Sequence, residues 1–270
     1  MIRPAVLLPL LLALAGCPPK APPPELPLGP IDPAALLERA ATEAAPGPSA
    51  ATFDLRVELP EQHVSAQGVV IVAPPDRFRI EVRGPIGPAQ VVVVSDGTRL
   101  TTWLAGKNQV YVADQADATL SAYTGGEAGL EALASLLLGR LPALGTPDLL
   151  RREGVPEFRW TGPGQSHVDA TLDPRTAHLV ALALADEAGA ALLDARVQGR
   201  EWPEELVAVL PQQRITATLE FDEWKPAAPP DTAFVLAPPP GSEVKPLLFK
   251  RPVGDALPEA ASPAPPTPEP

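Results

Sequence analysis

The feature that most limits how this chain folds is an alternation of apolar and polar side chains that recurs in one segment after another. Between residues 52 and 59, four apolar side chains alternate with four polar ones. A period of two places each set on its own face, as in a half-buried antiparallel strand. The pattern predicts about eleven or twelve strands, at residues 53–59, 64–73, 77–83, 90–94, 99–104, 109–113, 157–161, 166–172, 178–185, 192–198, 206–210 and 215–221.

Two segments have helical spacing instead. Asp32 followed by Pro33 is a helix start signal, with an N-cap residue and then proline at the first helical position. It predicts a helix over residues 34–45 whose apolar stripe is Leu36, Leu37, Ala40 and Ala41. The second helix is predicted over Glu127–Leu141, where leucines recur every three or four residues and Pro142 follows.

These elements predict a mainly β fold with two helices. A long antiparallel meander has to curl to hide its apolar face, and two helices are too few to cover it when flat. The economical arrangement is an unclosed β-barrel with the helices as lid or plug, which leaves room for a hydrophobic cavity. We predict that the inward side chains line this cavity and bind its ligand: Phe53, Leu55, Phe78, Ile80, Leu133, Leu137, Leu219 and Phe221.

The N-terminus has the pattern of an export signal. A short basic start precedes an apolar run over residues 4–16, too short for a membrane-spanning helix, which needs about 20 residues. The run ends Leu14-Ala15-Gly16-Cys17, which resembles the bacterial lipobox and implies cleavage before Cys17 and lipid attachment to its thiol. An ordinary secretory signal with a chance cysteine is the alternative. Cys17 is the single cysteine, so the chain contains no internal disulfide.

The predicted organisation is therefore a signal peptide (1–16), an acylated cysteine with a proline-rich tether (17–30), one β domain (31–251) and a disordered Pro/Ala/Glu-rich tail (252–270). A partner-binding tail is the alternative to a merely solvated one. Prolines follow Cys17 where some bacteria use aspartate to retain a lipoprotein at the inner membrane, which favours the periplasmic face of the outer membrane. The formal net charge of −12 argues against nucleic acid as a partner.

The sequence offers little for catalysis. His63, His167 and His178 are isolated and lack metal-ligand spacing. Ser166 and His167 are neighbours in a predicted strand, so their side chains point to opposite faces and do not form a triad with Asp169. No Gly-x-Ser-x-Gly nucleophile motif occurs. We therefore expect a protein that is not an enzyme and that needs no cofactor or metal.

The order of elements resembles the LolA/LolB lipoprotein-localisation superfamily. The phrases that carry the resemblance are residues 68–83, Arg83-Gly84-Pro85-Ile86-Gly87, Ser95-Asp96-Gly97, residues 219–224, Phe234 and Pro240-Gly241. The resemblance implies an unclosed barrel whose cavity receives acyl chains, and Cys17 places the chain with the LolB-type members. It also implies that Ile86, on the loop after the third strand, helps to deliver cargo to the membrane. A surface-loop residue packed against the sheet is the alternative for Ile86.

Two functions remain open at this stage. One is a lipid-anchored protein that binds acyl chains of lipoproteins, or another lipid, for lipoprotein localisation, with a soluble LolA-like carrier as partner. The other is an envelope assembly or sensor lipoprotein whose cavity is filled by side chains and whose tail or sheet edge binds a protein.

Overall fold

The computed structural model describes residues 31–42, 46–84, 87–114, 130–142, 144–152, 155–162 and 166–246, with backbone alone at 130–133, 151–152 and 155. The described residues lie in one compact unit. The helices in these ranges are α1 (Pro33–Thr42) and α2 (Leu130–Leu137). The strands are β1 (Ser49–Leu59), β2 (Gln62–Ala73), β3 (Arg77–Arg83), β4 (Ala89–Asp96), β5 (Arg99–Leu104), β6 (Gln109–Asp114), β7 (Asp148–Arg152), β8 (Val155–Thr161), β9 (His167–Leu172), β10 (Leu179–Ala185), β11 (Ala191–Gln198), β12 (Glu205–Leu210), β13 (Ile215–Phe221), β14 (Lys225–Pro226) and β15 (Glu243–Pro246).

The strands form one unclosed sheet. Their order is β15-β6-β5-β4-β3-β2-β1-β13-β12-β11-β10-β9-β8-β7, and β14 pairs with the start of β1. Strand β1 joins two meanders, because Phe53 lies opposite Gly68 of β2 on one side and Phe221 of β13 on the other. We call β1–β6 the N-terminal half-sheet and β7–β13 the C-terminal half-sheet. The predicted fold class, a mainly β unclosed barrel with two helices, is confirmed.

The sheet has more strands than the sequence predicted. Fifteen are found among the described residues, and the additional ones are the short strands β7, β14 and β15. None of these three has a clear alternation of apolar and polar residues, so periodicity gave no signal for them. The pairing of β15 with β6 is parallel, whereas the prediction contained only antiparallel strands.

Local signals set the limits of both helices. Oδ1 of Asp32 accepts the N–H of Ala34 at 3.0 Å, which confirms the predicted start of α1. Helix α2 ends earlier than the predicted Leu141. Gly139 has φ 64°, its N–H donates to the carbonyl of Leu136, and the N–H of Arg140 donates to that of Ser135. This is a Schellman cap, so residues after Leu137 leave the helix. Residues 43–45 and 127–129 of the predicted helices lie outside the described residues.

A segment that we call the C-terminal strap, residues 225–246, covers the outer face of the N-terminal half-sheet. It begins with β14 beside β1 and ends with β15 beside β6. Between them, a 3-10 turn buries Phe234 against Ala73, Val92 and Val94. The guanidinium of Arg77 lies 5.0 Å from the centroid of the Phe234 ring. The part of the N-terminal half-sheet around Val92 and Val94 is therefore covered on both faces.

Candidate functional site

The structure brings together the side chains predicted to line a cavity. Phe53 and Phe78 are 2% and 1% exposed and belong to one buried cluster. The half-buried members packed against this cluster include Leu55, Ile80, Leu137, Leu219 and Phe221. Leu133 lies in α2, but its side chain is outside the described part of the chain. The other seven predicted residues lie in or against this cluster, and the cavity-lining and ligand-binding role of the set stays a prediction.

Aromatic contacts and one glycine fix the geometry of this cluster. The rings of Phe53 and Phe221 meet edge to face at 6.0 Å, and the Phe221 and Trp224 rings lie 5.3 Å apart. A Cβ at Gly68 would lie 2.2 Å from Cζ of Phe53 and 2.6 Å from the carbonyl oxygen of Glu81. Glycine is required at position 68, because any side chain there would overlap the Phe53 ring that packs over β2.

Helix α2 lies between the inner faces of the two half-sheets. Ala134 and Leu138 pack in the cluster that contains Phe53, whereas Leu136 packs in a second cluster with Phe158 and other C-terminal residues. The carbonyl of Gly139 accepts the N–H of Leu179 at 2.9 Å, which ties the end of α2 to β10. The helix thus occupies the space that the sequence-based prediction left as a single cavity.

A pocket of about 770 Å³ remains between α1 and the C-terminal end of α2. Its apolar lining comes from α1, from α2 and the residues after it, from the β2–β3 turn and from β8: Ala34, Leu37, Ala40, Ala41, Ala134, Leu138, Leu141, Pro142, Pro74, Pro75 and Trp160. The indole N–H of Trp160 donates to the carbonyl of Gly145 at 3.1 Å, which holds the ring in place. The charged residues in the lining are Glu38 and Arg140.

The described lining of this pocket differs from the set of cavity residues predicted from sequence. None of the eight predicted cavity residues is among its described lining residues. The stripe Leu37, Ala40 and Ala41 was recognised as the apolar face of α1, but a stripe alone does not show whether it faces a core or a pocket. Trp160 gave no signal, since a buried tryptophan in a strand is usually a core residue.

Two predicted sites lie outside the described residues, namely the lipid-attachment site Cys17 and the delivery residue Ile86. The glycines on either side of the Ile86 loop, Gly84 and Gly87, line a polar cleft of about 410 Å³ with Thr52 and Asp222. Both proposed roles therefore stay predictions.

The polar residues considered for catalysis include His167 and Asp169, which lie in strand β9 and interact with neighbouring side chains of the sheet. Asp169 accepts two hydrogen bonds of 2.6 Å from Arg159, and this interaction, against the cost of burial, raises the pKa of Arg159. The Nε2 atom of His167 lies 3.9 Å from Asp169. In the described part of the chain, no group of three or more His, Cys, Asp or Glu side chains has the arrangement of a metal site. No described helix has the length and hydropathy to span a membrane.

Comparisons with known proteins give matches only at the level of structure. No family model and no curated protein matches the sequence. A LolA superfamily protein from Nitrosomonas europaea is similar over 75% of this chain and 97% of its own, with a TM-score of 0.53 and 15% identity. A domain described as outer membrane lipoprotein-sorting from Vibrio parahaemolyticus is similar over 72% of this chain and 91% of its own, at TM-score 0.51 and 13% identity.

The chain has the LolA/LolB-like fold. A DUF1329 family protein from Desulfovibrio piger has a similar structure, with TM-score 0.53, 9% identity, and coverage of 75% of this chain and 95% of its own. The LolA/LolB-like fold agrees with the resemblance found in the sequence. Function is argued from the site, because one fold serves several functions.

Proposed function

We propose that this protein is an envelope lipoprotein that binds acyl chains, of lipoproteins or of other lipids, in the pocket between α1 and α2. The observation that carries the proposal is the pocket itself. Its volume of about 770 Å³ is within the usual range for small-ligand sites, and its walls are mainly apolar, with Glu38, Ser135 and Arg140 as the polar side chains. An acyl chain has no polar groups along its length, so a wall of this composition suits it.

Binding of this kind needs no covalent step. The free energy comes from removal of apolar surface from water, about 25 cal/mol per Å². In this proposal the lipid on Cys17 anchors the protein to the periplasmic face of the outer membrane. A soluble carrier of the same fold supplies lipoproteins to it, and Ile86 helps to transfer them into the membrane.

Trp160 provides a direct test, because it lines the proposed site. We expect brominated palmitate to quench tryptophan emission of the chain from Pro18 to Pro270, and Trp160→Phe to remove most of that quenching. Ala41→Trp fills the pocket from α1, and it should weaken binding at least about tenfold, which corresponds to ~1.4 kcal/mol.

Ala35→Trp is the matched control for this experiment. Ala35 is exposed on the same helix and is not among the pocket residues, so its replacement should leave palmitate affinity unchanged. Equal affinity of the Ala41→Trp and Ala35→Trp proteins would show that acyl chains do not bind in this pocket. Absence of quenching in the unsubstituted chain would reject the proposal as a whole.

A second candidate, an assembly or sensor lipoprotein that binds another protein, is supported by the packing of α2. Its residues Ala134, Leu136 and Leu138 are 1%, 7% and 3% exposed, so much of the space between the half-sheets is filled. A chain that binds neither palmitate nor lipid extracted from bacterial envelopes, and that captures a periplasmic protein, would favour this second function.

A further inference from the structure

The pocket between α1 and α2 extends from the interior of the domain to its surface. Ala134, Leu144 and Trp160, which line it, are all buried. Ala34 and Ala41 of α1 also line it and are exposed to water. A ligand in this pocket would therefore have one part in an apolar interior and another part near solvent.

The polar side chains of the lining are not among its buried residues. Arg140 and Ser135 are half-buried, and Glu38 of α1 is exposed. The cap at Gly139 places the first two together, because the N–H of Arg140 donates to the carbonyl of Ser135. The more open part of the pocket therefore carries one cation with a hydroxyl group beside it, and one carboxylate.

These groups suit a charged lipid headgroup better than an acyl chain alone. A guanidinium matches the oxygens of a phosphate, and its five N–H donors allow Arg140 to bind one while it keeps a protein partner. The Ser135 hydroxyl can donate to the same phosphate. The carboxylate of Glu38 suits an ammonium group. An acyl group in ester or amide linkage, as on a lipoprotein, carries neither charge at that linkage.

We propose that the pocket binds a phospholipid with one acyl chain and a zwitterionic headgroup, its phosphate at Arg140 and Ser135 and its ammonium at Glu38. The inference rests on the proposed function and names the class of ligand for the same site. The apolar walls around Trp160 take the acyl chain. A volume of about 770 Å³ is that of a site for one small ligand, which is why we specify a single chain.

Competition against brominated palmitate tests the headgroup in the unsubstituted chain 18–270. Three competitors share the palmitoyl chain and are used below their critical micelle concentrations. Monopalmitoylglycerol has no charge, palmitoyl-lysophosphatidylglycerol has the phosphate alone, and palmitoyl-lysophosphatidylethanolamine has the phosphate and the ammonium. We expect the last to bind about tenfold more tightly than monopalmitoylglycerol, with the phosphate contributing most of the difference.

Substitutions assign each charge of the headgroup to its residue. Arg140→Met should remove most of the tenfold preference and leave monopalmitoylglycerol affinity within about twofold, whereas Arg140→Lys should keep part of the preference because a lysine still pairs with phosphate. Glu38→Gln should weaken lysophosphatidylethanolamine about threefold, since an exposed ion pair is weak, and should not weaken lysophosphatidylglycerol. A purely structural role of Arg140 would lower affinity for all three lipids alike.

Arg200→Met and Glu187→Gln are the matched controls, because both residues are exposed and neither is among the described pocket residues. Each should leave all three affinities unchanged.

Equal affinity of the unsubstituted chain for the three lipids would overturn the inference and leave the proposed function standing, and this comparison needs no variant to fold. A preference for the phosphate that Arg140→Met does not reduce, or for the ammonium that Glu38→Gln does not reduce, would also overturn it. Failure of every lipid, including brominated palmitate, to bind would reject the proposed function and the inference with it.

Discussion

The two half-sheets of this protein differ in what covers their outer faces. In the N-terminal half, β4 buries Val92 and Val94 beneath Phe234 of the C-terminal strap, while its other face meets the interior. In the C-terminal half, β11 buries Ala195 and Val197 but exposes Asp194, Arg196 and Gln198 to water. The continuous apolar run of β4 and the alternation of β11 reflect this difference. A strand that is covered on both faces has a continuous apolar sequence, whereas a strand that is covered on one face alternates apolar and polar residues.

The difference also bears on function. The strap packs on the outside of the N-terminal half-sheet, whose inner face contacts α2, and the β2–β3 turn of this half-sheet contributes Pro74 and Pro75 to the pocket. The pocket itself is lined mainly by α1, by α2 and by the residues after α2, with Trp160 of β8. Ligand entry would therefore move the helices more than the strands, because the helices have fewer hydrogen bonds to the rest of the molecule.

The largest effect is expected from removal of the strap's main contact. Phe234→Ala leaves a cavity over Ala73, Val92 and Val94 and should lower the free energy of unfolding by about 3–5 kcal/mol. Its neighbour Val235 is 61% exposed, and Val235→Ala should change stability by less than about 0.5 kcal/mol. Urea denaturation followed by circular dichroism measures both. Similar midpoints for the two variants would show that the strap does not stabilise the sheet.

An intermediate effect is expected from the same substitution made in each half-sheet. Val94 is 2% exposed beneath the strap, whereas Val180 of β10 is 40% exposed. Val94→Ala should cost about 2 kcal/mol and Val180→Ala less than about 0.5 kcal/mol. If both variants unfold at the same urea concentration, then the outer faces of the two halves do not differ in the way described here.

The smallest effect concerns pH and the ion pairs beneath the strap. Arg79 donates to Glu81 at 2.7 Å and to the carbonyl of Ala233 in the strap at 3.0 Å. Burial tends to raise the pKa of Glu81, but hydrogen bonds from Arg83 and Arg79 outweigh it and hold the pKa below its ordinary value. The stabilisation from a lowered carboxyl pKa is complete above about pH 4.3 and is lost as pH falls through the folded-state value.

Glu81→Gln should therefore lower the melting temperature slightly at pH 7 and by less at pH 3, because the stabilisation from the lowered pKa of Glu81 declines once the pH is below the unfolded-state value. Glu58→Gln is a suitable control, because Glu58 lies on the outer face of β1, away from the strap. A Glu81→Gln protein with the same loss of melting temperature at both pH values would contradict this assignment.

The sequence predicted the structure correctly where residues close together in the chain determine it, as in helix capping, strand alternation and tight turns. Asp32 and Pro33 predicted the start of α1, and the alternation from Ile215 to Phe221 predicted β13. Asp96-Gly97 predicted a hairpin, and Gly97 there has φ 92°. It was a weaker guide for β15, since a strand of four residues forms only because β6 offers an edge. The end of α2 was missed because the leucine spacing continues past Gly139, the residue that caps it.

By itself the sequence determined the types and order of most elements, the inward set around Phe53, and the absence of an internal disulfide. Those follow from periodicity, capping and composition, which depend on residues close together in the chain. Only the tertiary structure decided that β1 joins the two meanders, that α2 fills the space between them, and that the pocket lies beside α1. These depend on contacts between distant residues, such as Phe53 with Phe221, and no local pattern specifies which distant segments meet.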